Sequence, residues 1–121
     1  MKPVALMLLA VLVLSATHAE AEVTVKEYKK IKAAGGDDWN ALIVYIVGVE
    51  LGISWSNAYL DLNHKSQMFC LPESLHTNAQ FDIKILEAEL QRHKHDSRFS
   101  EDTDKIEPAL LYGFIHTYPC K

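Results

Sequence analysis

Six histidines and two cysteines are the residues in this chain with the most capacity for chemistry. His93-Lys94-His95 is the one close histidine pair, and its i,i+2 spacing points the two rings to different faces of a helix. The lysine between them repels a cation, so the pair makes a poor metal site. His64, His76 and His116 stand alone, and His18 falls in the leader described below. A cysteine nucleophile needs a base and an activating turn or helix start. Neither Cys70 nor Cys120 has such a setting. No Gly-rich phosphate loop, nucleophile elbow or HExxH occurs, and Asp37-Asp38 and Glu101-Asp102 read as helix caps and solvated loop charge rather than a carboxylate dyad. The expectation is a protein that acts by binding, with no catalytic residue, cofactor or metal.

The two cysteines have a simpler use. Met1-Lys2, the apolar run Val4 to Leu14 and the small residues from Ser15 to Ala21 read as a secretory signal, cleaved after Ala19 or Ala21. In an exported chain, Cys70 and Cys120 are expected to form one disulfide. By loop closure a bridge of that span contributes about 4 kcal/mol. The leader is too short to span a bilayer with comfort; Ala41 to Ile53 is too short as well and contains Glu50. A single exported domain, 22–121, free of the membrane after cleavage, is the reading. The net charge is −4, and no basic stripe is present to neutralise phosphates, which argues against nucleic-acid binding.

The elements that would position these residues are helices. Thr24 to Glu27 is a capping box for a short helix that Gly35-Gly36 should end. Asp37 or Asp38 can cap a second, whose apolar residues Trp39, Leu42, Ile43, Ile46, Val49 and Ile53 recur at helical steps; a buried strand over Ile43 to Val47 ranks second. Gly48 and Gly52 lie four apart, which suggests close approach of another helix, within the domain or across a dimer. Trp55, Tyr59, Leu60 and Leu62 would suit two further turns, but Ser54, Ser56, Asn57 and Asn63 are weak helix formers, so the end of this helix stays open. Thr77 or Asn78 can cap a third helix, Ala79 to about His93, with Ala79, Ile83, Leu86 and Leu90 inward and Asp82, Lys84, Glu87, Glu89 and Gln91 mostly outward. A fourth, starting at an Asp104–Glu107 capping box with Pro108 in its first turn or else near Ser100 with a kink, carries Ile106, Leu110, Leu111, Phe114, Ile115 and Tyr118 on a wide buried face. The fold class is all-α, a bundle of about four helices stapled by one disulfide.

Taken together, the signal, Tyr45-x-x-Gly48-x-x-x-Gly52, Phe69-Cys70-Leu71-Pro72, Gln80 eight residues after Pro72, an amphipathic helix, and Ala109-Leu110 leading to Tyr118-Pro119-Cys120 form a pattern over essentially the whole mature chain. It resembles the Rap/Tai family of type VI secretion immunity proteins, although the further cysteines that many relatives carry in the first half are missing here. The resemblance implies a small helical periplasmic protein, often a homodimer, that binds and occludes a cell-wall amidase delivered by sibling cells. It assigns Gly48, Gly52, Pro72, Gln80 and Tyr118, with the cysteines, to the scaffold. For the amidase-binding surface the best candidate is the polar link His93 to Thr103, with His95, Ser97, Arg98, Phe99 and Ser100, because Arg and aromatic residues are favoured at interface hot spots. The alternative function is a periplasmic acid-stress chaperone of the small helical disulfide type, in which histidines and carboxylates would drive acid loosening.

Overall fold

The computed structural model describes residues 22–121, so the expected export signal and its cleavage points lie outside the described residues. Four helices follow in order: α1 Val25–Ala34, α2 Gly36–Leu62, α3 Ala79–His93 and α4 Ile106–Thr117. Among the described residues there is no strand, only an isolated antiparallel bridge from Thr24 to Lys105. The all-α class and the Cys70–Cys120 disulfide, with its Cα atoms 5.0 Å apart, are both present.

Local rules account for most helix ends. The Thr24 side chain accepts the Glu27 N–H while the Glu27 carboxylate accepts the Thr24 N–H, which is the expected capping box. Gly35, at φ +67°, closes α1 in a conformation that costs a side chain energy. Asn78 rather than Thr77 caps α3, accepting the Phe81 N–H at 3.0 Å. Two expected caps are replaced. Gly35 itself precedes the first turn of α2, and Asp37 and Asp38 lie inside that turn, where negative charge suits the helix dipole. The carboxylate of Asp104 accepts the Ser100 N–H at 2.7 Å, and α4 starts one residue later than a cap at Asp104 requires, at Ile106 after Lys105, without a side-chain cap. Pro108 remains in the first turn, as expected, and no start near Ser100 is seen.

The largest departure from the sequence reading is α2. It runs 27 residues to Leu62, straight through the serine- and asparagine-rich stretch, and the strand alternative is ruled out. Asn57 explains why. Its buried side chain donates to the Phe69 carbonyl at 2.9 Å and accepts the Met68 N–H at 2.7 Å, tying the returning chain to the helix. By length and composition alone α2 is now long and apolar enough to cross a membrane.

The core sits where α3 and α4 meet α1 and the inner face of α2. Val25, Tyr28, Ile46, Phe69, Leu86, Ile106, Leu110 and Phe114 are essentially removed from solvent. Phe69 stacks on Phe114 with ring centres 5.1 Å apart, and the Cys70 N–H donates to the Tyr118 carbonyl at 2.8 Å. The disulfide therefore closes a crossing that packing and a backbone hydrogen bond already hold. Gly113 permits the close contact of α4 with α3, since a Cβ there would lie 2.8 Å from Ile85 Cγ2. Among the described residues no such contact exists at Gly48 or Gly52, where none comes within 4 Å of an added Cβ. Close approach of another helix within the domain is thereby excluded for that pair.

Candidate partner-binding surface

The C-terminal end of α3, residues 94–105 and the start of α4 form the one face on which the sequence-nominated residues gather. The link is held by backbone. Asp96 N–H donates to the His93 carbonyl at 2.9 Å and Phe99 N–H to the Asp96 carbonyl at 3.0 Å. At the far end Val25 N–H donates to the Asp104 carbonyl and Lys26 N–H to the Glu101 carbonyl, both at 2.9 Å. The orphan donors at the N-terminus of α1 thus anchor the link. A segment that its composition marks as a solvated connection is in fact fixed at both ends.

Its side chains divide into two groups. His95, Ser97 and Arg98 face water, the Arg98 side chain being 89% exposed. Arg98 is nevertheless oriented, because its guanidinium meets the Asp96 carboxylate at 3.1 and 3.2 Å. That pairing holds the Asp96 carboxyl below its usual range. Phe99 and Ser100 are half-buried. Phe99 stacks on His93 and separates two clefts, of about 870 Å³ towards α1 and about 290 Å³ towards α4. The larger cleft has Tyr28, Leu90 and Phe99 as apolar wall, with the ion pairs Lys29–Glu101 and Lys32–Glu87 across it.

Behind this face lies a cluster that composition did not announce. Glu89 is fully buried although the helical pattern places it outside. Its carboxylate accepts from Arg92 Nη1 at 2.6 Å and meets His93 Nε2 and His116 Nδ1, each at 2.9 Å. Burial alone would raise the Glu89 carboxyl, but these bonds prevail and hold it below the usual carboxylate range. His93, paired in the sequence with His95, and His116, which stands alone there, are therefore brought together by a shared acceptor. The signal was present in the spacing: Asp82, Leu86, Glu89 and His93 follow one another at steps of four, three and four.

Asp82 is the second outward assignment that fails. It is 1% exposed at the seam of α2 and α3, near the equally buried Glu50, and its Oδ1 has no hydrogen-bond partner. Burial, then the charge of Glu50, pushes its pKa up to about 7. Glu50 accepts the Ser54 hydroxyl at 2.5 Å.

Of the residues nominated as scaffold, Tyr118 accepts the Cys70 N–H through its carbonyl and sets its ring 6.1 Å from Phe81, Pro72 and Gln80 are exposed, and Gly48 and Gly52 face open space. Among the described residues no group of three His, Cys, Asp or Glu is arranged to hold a metal. Compared with family models, curated proteins and solved structures, the chain matches none.

Proposed function

We propose that this protein is an exported, periplasmic immunity protein, which binds a type VI secreted peptidoglycan amidase, occludes its groove and so protects the producing cell, without catalysis of its own. The observation that carries the reading is the 94–105 link: it is pinned at both ends by backbone bonds, yet it offers to solvent an oriented Arg98 on the smaller cleft, next to Phe99, which lines both clefts. A pre-ordered protrusion binds with little loss of entropy, which is what an occluding inhibitor requires. The Cys70–Cys120 frame on which the resemblance to the Rap/Tai family rests supports the same reading.

The test is co-purification with a cell-wall amidase from sibling-cell secretions, repeated with Arg98→Ala. Loss of a central arginine should weaken binding by about tenfold or more, each factor of ten being about 1.4 kcal/mol. Undiminished capture by Arg98→Ala, with the variant folded, would remove the link from the interface.

The alternative, an acid-stress chaperone, is favoured by one observation, the large apolar side chains exposed along α2. It requires acid to loosen the fold. A chaperone should expose further apolar surface and capture many unrelated clients near pH 3; an inhibitor should retain one partner at neutral pH.

A further inference from the structure

The larger of the two clefts beside Phe99 holds about 870 Å³, within the roughly 300–1,000 Å³ of small-molecule sites. Helical spacing builds it. Tyr28, Lys29, Lys32 and Ala33 share one face of α1, and Glu87, Leu90 and Gln91 share one face of α3, with Lys94 just beyond its end. Tyr28 and Leu90 are buried and make its floor. Phe99, stacked on His93, is a wall that stays half-open to water.

The cations of this cleft differ in what they are bound to. Lys29 pairs with Glu101 of the link and Lys32 with Glu87 of α3, and Glu87 also accepts the Tyr28 hydroxyl at 2.9 Å. With those ammonium groups engaged, the methylene stems of the two lysines remain as apolar wall. At the end of α3, Arg92 and His93 are bound to the buried Glu89. Lys94, the next residue, is exposed on the cleft and makes no ion pair among the described residues. One unengaged positive charge beside an aromatic wall complements one negative charge on an apolar body.

We propose that this cleft binds a small organic anion, a flat body of one or two rings bearing a single carboxylate or sulfonate, with its charged group on Lys94 and its rings against Phe99 and the stems of Lys29 and Lys32. On a chain of net charge −4, three lysines against two glutamates give the cleft a local positive charge, so capture of an anion belongs to this place and not to the surface at large. The ion pairs also decide the size of the occupant. They tie α1 to the link and to α3 across the cleft, and an extended peptide cannot run through without breaking both. The site needs no macromolecule and stands apart from the immunity reading.

Titration of the oxidised protein with naphthalene-2-sulfonate at pH 7, followed by backbone amide chemical shifts, provides the test. One molecule should bind per chain with a dissociation constant below about 1 mM, moving the amides of Lys29, Gln91, Lys94 and Phe99. Naphthalene-2-sulfonamide, of the same shape without the charge, should bind at least about fivefold more weakly, and Lys94→Glu should weaken the sulfonate by at least as much. Phe99→Ala should weaken both probes. Lys65→Glu, which alters a cation equally exposed and unpaired but remote from the cleft, should change nothing. Lys94 is exposed, so its variant keeps the fold, and thermal melting checks this for each variant. No binding up to about 5 mM overturns the proposal. So do shifts confined to Trp55 and Tyr59 of α2, or equal weakening by Lys65→Glu and Lys94→Glu. Tighter binding of an acidic peptide than of the sulfonate at the same residues overturns the choice of ligand.

Discussion

Asp82→Asn isolates the cost of a buried charge. Asp82 lies almost wholly out of solvent beside Glu50, with one carboxylate oxygen unbonded. Its pKa is pushed from an ordinary 3.8 up to about 7, by burial first and by Glu50 second. Between those two values the folded chain retains a proton that the unfolded chain has released. Stability contributed by this group is therefore fully present below about pH 4, declines as pH rises towards 7, and is level above that. Three pKa units at 1.36 kcal/mol each set the decline at about 4 kcal/mol. Asparagine has nearly the same shape and does not titrate. The variant should match wild type at pH 4 and exceed it by about 3–4 kcal/mol at pH 8, or roughly 12–30 °C in melting temperature for a domain of this size. Urea unfolding followed by circular dichroism from pH 4 to pH 8.5 reads both curves. Equal stability of the two proteins at pH 8, or a wild type that gains stability from pH 5 to pH 7.5 while Asp82→Asn does not, would refute the reasoning.

Three other changes probe separate parts of the fold. Glu89→Gln keeps the shape but removes the charge that gathers Arg92, His93 and His116, whose side chains remain partly open to water, and should cost about 1.5–3 kcal/mol at pH 7. Because the Glu89 carboxyl is lowered in the fold, its contribution holds above the unfolded value and is lost as pH falls below it, so wild type and variant should converge in strong acid when unfolding is followed against pH. Gly113→Ala drives a methyl to 2.8 Å from Ile85 Cγ2 and 3.0 Å from the Ile85 carbonyl oxygen, and should cost about 1–3 kcal/mol in the same urea assay. Replacing both Cys70 and Cys120 with serine should cost about 4 kcal/mol, with helicity at low temperature kept, because Phe69, Asn57 and the Cys70–Tyr118 backbone bond still hold the crossing.

Helix boundaries were legible where a local device sets them. The Thr24 box, the Gly35 stop, Asn78 and the apolar steps of α3 and α4 are signals a chain carries in isolation. The extension of α2 was not, because Ser54, Ser56 and Asn57 argue against a helix until their partners are known. Ser54 bonds back to Glu50, Ser56 donates to the Gly52 carbonyl at 2.8 Å, and Asn57 is used by the returning strand of chain at Met68 and Phe69. Tertiary partners override propensity there. Polarity misplaced Asp82 and Glu89, since hydrophobic pattern cannot foresee a carboxylate that is buried with donors or shares a seam with another acid. The link 94–105 was found as a polar loop, but its far end is anchored by the Val25 and Lys26 N–H groups of α1, distant in the sequence, and no local signal records that.

The resemblance behind the immunity reading and the geometry of the link meet in one experiment. Purified oxidised protein is titrated into the cell-wall amidase activity of sibling-cell secretions, with release of cross-link peptides as the readout. An occluding immunity protein should abolish that activity stoichiometrically, and Arg98→Ala should relieve the loss. Full amidase activity at a large excess of folded protein would contradict it.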